Sequence, residues 1–153
     1  MYVLRRLLCI VSAAVAIDAE LDETSLDDMS QTENVIVSQW RDISADEQHE
    51  LRDRFDEILR PLGFETSLIV IRRANSIALY FICLTLSAVM SLRDHWRSQL
   101  LKHIVEQLFT FLHLHLHRTV HVKRLNWPRT DYEQCLKFFI PAQRESYTLQ
   151  SAI

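Results

Sequence analysis

The sequence has 153 residues, enough for one domain that buries a core of its own. Hydrophobic residues make up 48% of it and glycine occurs once, which excludes a chain disordered throughout and a glycine-rich phosphate loop. The net charge of −3 conceals an acidic segment typical of a solvated linker, because seven acidic residues and no Lys or Arg lie between Leu7 and Trp40.

The first twenty residues have the layout of a secretory signal. Arg5 and Arg6 form a basic start, Leu7–Ala16 is an apolar run, and Ala14-Val15-Ala16 matches a small-x-small cleavage pattern. The same run is also compatible with an apolar strand or helix of the domain itself, and both interpretations stay open. The predicted organisation is a signal-like segment at 1–17, an acidic linker at 18–33, a domain at 34–140 and a loose tail at 141–153.

A strand and a helix are predicted at the start of the domain. Asn34–Trp40 is a short run rich in β-branched residues and predicts a strand. Ser44 and Glu47 form a capping box, whose side chains satisfy free amide groups at a helix start. Pro61 and Gly63 end that helix. Its apolar face is predicted to consist of Leu51, Phe55, Ile58, Leu59 and Leu62.

Two strands follow, at Thr66–Arg73 and Ile77–Leu84, and are predicted to pair antiparallel across a tight turn at 74–76. Ile77–Leu84 is apolar on both faces, which favours a central position in a sheet. Ala74–Leu92 has nineteen residues without a charge and by length alone could span a bilayer. Its change from β-branched and aromatic residues to a capped helix start favours a strand followed by a helix.

The remainder of the domain predicts a helix, a strand and a short helix. Thr85 or Ser87 caps the first helix, which has a break near Ser98. Leu112–Lys123 alternates between apolar and polar residues and predicts a half-buried strand. A short final helix stops at Pro141. The predicted fold is therefore α+β, a ferredoxin-like βαββαβ antiparallel sheet with helices on one face and an extra C-terminal helix.

The predicted strand Leu112–Lys123 carries His113, His115 and His117 on one face, with His121 further along. Same-face neighbours lie about 6.6–7 Å apart at Cα, close enough for two imidazoles to share a zinc or copper ion. No further ligand with metal-site spacing occurs elsewhere in the sequence. We therefore expect a solvated, His-rich strand face without a bound metal or other cofactor, and a metal site is the alternative.

Recognisable catalytic machinery is missing from the sequence. There is no G-x-S-x-G nucleophile elbow, and carboxylate pairs such as Asp53 and Glu57 fall on the polar side of a helix. The aromatic signature of RNA-recognition domains is also missing, so we expect no nucleic-acid partner. Cys9, Cys83 and Cys135 are too few and too widely spaced for a disulfide framework. The sequence therefore predicts a domain that is not an enzyme.

Four short segments of the sequence resemble a known domain. These strings are SIALYFICLT (Ser76–Thr85), LRDHWRS (Leu92–Ser98), LKHIVEQL (Leu101–Leu108) and DYEQC (Asp131–Cys135). In these strings and in element order, residues 65–139 resemble the TRADD-like N-terminal domain. That domain is the TRAF-binding module of a death-receptor adaptor and of its invertebrate relatives. The resemblance covers about half the chain, and Ser98-Gln99 departs from the Ser-Gly that members often have at the helix break. It implies a cytoplasmic, adaptor-like domain that binds a TRAF-like or adaptor protein.

Two other hypotheses stay open. One is a small secreted or membrane-anchored protein that contacts the membrane through its N-terminal segment and binds metal through its His strand. The other is a fragment of a longer adaptor. If the chain is an adaptor, its sheet is expected to dock the partner, with Trp127 either exposed or packed over the sheet end. The predicted contact residues are Arg124, Trp127, Arg129, His113, His115 and His117.

Overall fold

A computed structural model describes the backbone of residues 12–22, 26–45, 49–113 and 119–151. These residues form a four-stranded antiparallel sheet and five α-helices. The strands are β1 (Ala13–Leu21), β2 (Thr66–Arg73), β3 (Ile77–Cys83) and β4 (Val122–Asn126). The helices are α1 (Leu26–Ala45), α2 (His49–Leu59), α3 (Leu86–Arg97), α4 (Leu100–Leu112) and α5 (Arg129–Ser151), and a 3-10 turn spans Arg60–Leu62.

The strand order is β2-β3-β1-β4, and every neighbouring pair is antiparallel. The predicted α+β class is therefore confirmed, and the extra C-terminal helix is present as α5. A strict βαββαβ order is wrong, because two helices connect β1 to β2 and two more connect β3 to β4. The core lies between the helices and the sheet face that carries the buried strand side chains.

Strand β1 lies inside the sheet, between β3 and β4. Its side chains alternate: Val15, Ile17 and Ala19 are buried in the core, whereas Ala14 and Ala16 are exposed. This alternation is the pattern of a strand with one covered face. The sheet therefore begins before the predicted domain start at residue 34, in residues assigned above to the signal-like segment and the linker.

Asn34–Trp40 lies within helix α1, so the strand predicted there is wrong. Ile36, Val37 and Ile43 are buried and Trp40 is partly buried, a spacing that places all four on one helical face. The β-branched residues favour extended backbone only weakly. Burial of a helical stripe against the core outweighs that preference.

Helix α2 begins at His49, and Ser44 lies in the last turn of α1. The predicted capping box is therefore wrong for Ser44, and Glu47 lies outside the described residues. The apolar face is confirmed, since Phe55 and Leu62 are buried and the other three predicted residues pack against the core. Gly63 ends the 3-10 turn with φ of 88°, a left-handed conformation that favours glycine.

The antiparallel β2–β3 pair is confirmed, with β2 at the predicted bounds and β3 one residue shorter. The turn between them contains a hydrogen bond of 3.0 Å from the amide of Ala74 to the carbonyl of Ser76. Strand β3 occupies the predicted inner position between β2 and β1. The uncharged stretch Ala74–Leu92 is thus a turn, a strand and the start of α3. Among the described residues, no helix has the length and hydrophobicity to cross a bilayer.

The break near Ser98 is also confirmed. Thr85 caps α3, because its hydroxyl accepts a hydrogen bond of 3.1 Å from the amide of Ala88. Ser98 follows the last residue of α3, and Gln99 reverses the chain with φ of 69° before α4 begins. Residues other than glycine seldom adopt this left-handed conformation.

The strand predicted at Leu112–Lys123 is wrong at its start, and residues 114–118 of it lie outside the described residues. Helix α4 continues through Leu112, which is fully buried with Leu108 and Phe109 at helical spacing, and β4 begins only at Val122. Helix α5 continues past Pro141, which lacks a backbone amide donor but does not end the helix here. The predicted stop, and a loose tail directly after it, are therefore not observed.

Candidate interaction surface

One face of the sheet packs on the helices, and we call the opposite side the outer sheet face. Its centre comprises two neighbouring cross-strand rows, Val70-Tyr80-Ala16 and Ser67-Ile82-Ala14. All six of these side chains are exposed or partly buried. Five of the six are aliphatic or aromatic, so the centre of the outer sheet face is a mainly apolar patch open to contact.

Charged side chains border this patch. The next row places Arg72 and Asp18 on either side of the small residue Ala78. Beyond it, Arg124 on β4 lies opposite Glu20 on β1, and its Nε is 3.0 Å from the carboxylate. An apolar centre with a charged rim is the composition typical of a protein–protein interface.

Arg72 and Tyr80 form a joined pair on the outer sheet face. Arg72 donates hydrogen bonds to the Tyr80 hydroxyl from Nε at 3.1 Å and from Nη2 at 2.6 Å. Its guanidinium carbon lies 4.6 Å from the centroid of the Tyr80 ring. Cation–π contact and hydrogen bonding therefore restrict both side chains before any partner arrives.

Strand β2 forms one edge of the sheet, so it carries backbone groups that another strand can pair with. A register shift between Leu68 and Val70 interrupts its ladder with β3. Ile69 and Val70, at this irregularity, are 43% and 37% exposed, and Phe64 just before the strand is 99% exposed. The apolar patch of the outer sheet face therefore continues to this edge.

A cleft of about 520 Å³ opens beside the same edge, between α2 and β2. Trp40 and Phe55, whose ring centroids are 5.1 Å apart, line it together with Leu59 and Leu68. The β2 edge thus has apolar surface on both sides, the outer sheet face on one and this cleft on the other.

Four of the six predicted contact residues lie within the described residues, on different elements. Arg124 is exposed on β4, and Arg129 is exposed at the start of α5, where it pairs with Glu133 at 3.1 Å. Trp127 is buried, in agreement with the alternative that it packs over the end of the sheet. His113 is buried at the C-terminal end of α4, and His115 and His117 lie outside the described residues.

Metal binding finds no geometric support in the part of the chain that the structure describes, where no three His, Cys, Asp or Glu side chains converge on one point. His103, Glu106, His113 and His121 do line one cleft between α2 and α4. The carboxylate of Glu106 already accepts a hydrogen bond of 3.0 Å from the amide of Val122 and lies 3.4 Å from His121 Nδ1. It therefore serves to hold the start of β4 against α4.

The buried arginine Arg93 was not identified from the sequence. Its guanidinium carbon lies 4.2 to 5.0 Å from the ring centroids of Trp96, Trp127 and Tyr132. Burial is the main cause that lowers its pKa, and the positive charge of Arg97 is the next. The signal in the sequence is an arginine on the apolar stripe of α3, one residue after the buried Leu92.

The outer sheet face was not identified from the sequence, which predicts a docking face on residues 112–123. The alternation along Ala13–Leu21, with small residues at Ala14 and Ala16, is the signal that could have found it. No protein-family model matches this sequence, and no curated protein matches it.

Proposed function

We propose that this chain is a non-enzymatic interaction domain that docks a partner protein through the outer sheet face and the β2 edge. The observation that carries this proposal is the Arg72–Tyr80 pair, in which Arg72 at the border of the mainly apolar patch holds Tyr80 within it. Interface energy concentrates in a few anchors, and Tyr and Arg are enriched among them. Because the two side chains already restrain each other, they lose less conformational entropy when a partner binds.

The adjoining β2 edge supports the same proposal. A partner strand can add its amides and carbonyls to the free edge while its apolar side chains cover Ile69 and Val70. Phe64, almost wholly exposed two residues before β2, is available to contact the same partner. The edge and the outer sheet face together supply backbone pairing, an apolar centre and charged groups at the rim.

A partner of the TRAF or adaptor type is proposed from the resemblance to the TRADD-like N-terminal domain. The resembling residues 65–139 include β2, β3, α3, α4 and β4. Tyr80 belongs to the string Ser76–Thr85 on which the resemblance partly rests. A cytoplasmic location and a role in death-receptor-type signalling follow from this proposal.

The test is binding of purified TRAF domains to the full chain, measured by isothermal titration calorimetry. Tyr80→Ala should weaken binding by roughly 2 kcal/mol or more, since it removes an anchor at the centre of the patch. Arg129→Glu is the control, because Arg129 is exposed at the start of α5 and belongs to none of the strand rows that form the outer sheet face. Parent-like affinity in a folded Tyr80→Ala variant would remove the outer sheet face from the proposal.

A further inference from the structure

A second concave surface lies between the α3–α4 turn and strand β4, and we call it the basic groove. It has a volume of about 470 Å³. Trp96, Gln99, Leu125 and Asn126 form part of its lining. Its cationic lining residues are Arg97, Lys102, Lys123 and Arg124. No Asp or Glu of the described ranges lines it.

An irregularity in β4 explains why two of these cations lie side by side. Glu20 pairs with Arg124 and the next residue of β1, Leu21, pairs with Val122, so Lys123 is an extra residue on β4. A bulge of this kind interrupts the regular alternation of side chains between the two faces of a strand. Lys123 and Arg124 are consequently both exposed, while Val122 and Leu125 on either side of them are both buried.

The positive charge of the basic groove is mostly uncompensated. Arg124 pairs with Glu20, but Arg97, Lys102 and Lys123 make no ion pair within the described part of the chain. Neighbouring charges of one sign repel each other, so a bound anion would stabilise this arrangement. The lowered pKa of Arg93, caused first by burial and then by Arg97, agrees with an excess of positive charge on this side.

The α3–α4 turn adds to the positive charge of the basic groove. Gln99 caps the start of α4 in the left-handed conformation but makes no side-chain capping bond, and the first turn of α4 contains no acidic residue. The amides at the start of this helix therefore add partial positive charge beside Lys102. A non-glycine residue held with positive φ is a local cost in stability, and such costs are found most often at functional sites.

We propose that the basic groove binds a compact anion that carries several phosphate groups. Cationic residues from α3, α4 and β4 line one small cavity, which matches dense charge better than the single, spaced charges of an acidic peptide. Nucleic acid fits less well because Trp96, the aromatic lining residue, already has one ring face covered and is held in place by a hydrogen bond. Its Nε1 donates to the carbonyl of Leu125 at 2.8 Å, and Arg93 stacks on its ring.

Inositol hexakisphosphate is a suitable probe, titrated calorimetrically into the full chain at physiological ionic strength. We expect one binding site with a Kd in the micromolar range. Lys102→Glu/Lys123→Glu should weaken binding at least tenfold, and the neutral variant Lys102→Gln/Lys123→Gln should weaken it by less. These residues make no ion pairs in the described chain, so circular dichroism should show both variants folded.

The matched control is Arg52→Glu/Arg60→Glu, which makes the same change in net charge at exposed residues on α2 and the turn after it. It should bind the probe as the parent does. An equal loss in the control would show that only net charge matters and would overturn the proposal. The absence of parent binding, or unchanged binding in both folded groove variants, would overturn it as well.

Further binding experiments identify the source of the phosphates. Sedimentation with phosphatidylcholine vesicles that contain phosphatidylinositol bisphosphate tests a lipid headgroup, and retention on them but not on plain vesicles would support the proposal with a membrane source. Binding of the soluble probe alone would support a soluble source. A glutamate-rich peptide and a single-stranded oligonucleotide are tested as competitors. If either binds more tightly than both the soluble probe and the lipid vesicles, the proposal of a compact phosphate ligand is overturned. Because the probe requires no protein partner, these results are independent of the proposed docking function.

Discussion

Arg93 donates a hydrogen bond from Nη1 to the backbone carbonyl of Trp127 at 3.0 Å, and its guanidinium carbon also lies 5.0 Å from the Trp127 ring. One side chain of α3 thereby holds both the backbone and the ring of the residue that follows β4. Arg93 is 6% exposed and makes no ion pair within the described ranges. Stacking on aromatic rings stabilises its charge where a carboxylate would ordinarily do so.

Replacing Arg93 by alanine should therefore lower the free energy of unfolding by roughly 2–4 kcal/mol, through a lost hydrogen bond and lost ring contacts. Arg93→Lys should recover little of this, because an ammonium group lacks the planar face that stacks on the rings. Urea denaturation followed by tryptophan fluorescence measures both. Parent-like stability of Arg93→Lys would show that the positive charge alone suffices.

Arg73 connects the end of β2 to helix α1. Its Nη2 lies 2.8 Å from the carboxylate of Glu33, and its Nη1 donates to Asn34 Oδ1 at 2.6 Å. Burial raises the pKa of Glu33 and Arg73 lowers it by a smaller amount. Arg73→Met should therefore lower the free energy of unfolding at pH 7 by about 1–3 kcal/mol, because it leaves a buried carboxylate without its partner.

The loss caused by Arg73→Met should depend on pH. Without Arg73 the pKa of Glu33 rises further above its ordinary value, so the folded variant takes up a proton before the parent does as the pH falls. The difference in stability from the parent should therefore be largest near neutral pH and shrink toward pH 4. The control is Glu33→Gln/Arg73→Met measured against Glu33→Gln, and the loss between these two variants should not depend on pH in this way. A constant loss for Arg73→Met across this range would contradict the assignment.

Cys83 should react slowly with alkylating reagents in the folded protein. It is fully buried, and burial raises its pKa to about 11, with a hydrogen bond to Thr66 acting in the opposite direction. At pH 8 about one thiol in a thousand is then ionised, and the thiolate is the reactive form. We expect alkylation by iodoacetamide at least a hundred times slower than in urea, as followed by mass spectrometry of the Cys83 peptide. Equal rates in the two conditions would show that this part of β3 opens readily.

Truncation tests the position of β1. A chain that begins at Asp18 loses Ala13–Ile17, and with it Val15 and Ile17 of the core and most of the ladder to β3. Removing two fully buried side chains and the backbone pairing of an inner strand should exceed the stability of a domain of this size. A chain that begins at Ser12 should melt cooperatively and one that begins at Asp18 should not, as measured by circular dichroism. Cooperative melting of the shorter chain at the same temperature would place β1 outside the folding unit.

The sequence was informative where local preference and burial agree. Strand β2, strand β3 and the cap at Thr85 were predicted because β-branched runs, turn residues and a capping hydroxyl all favour the same local structure. Asn34–Trp40 was mispredicted because its β-branched residues favour a strand while its burial follows a helical face. Ala13–Leu21 was ambiguous because small and apolar residues suit both a cleavage site and a strand.

The candidate surface was harder to predict because it depends on register. Arg72 meets Tyr80 only because the irregularity between Leu68 and Val70 shifts the pairing of β2 with β3. The basic groove likewise depends on one extra residue in β4, Lys123. A shift by one residue exchanges the two faces of a strand, and no local sequence pattern determines where such a shift falls.

The inner position of β1 has a consequence for folding during synthesis. Strand β1 is made first, yet its partners are β3 and β4, and Ala19 pairs with Leu125 about a hundred residues later. The sheet therefore cannot close until nearly the whole described chain has left the ribosome. Until then the apolar side chains of β1 remain available to chaperones and to other nascent chains, so slow translation of the second half would favour aggregation over folding.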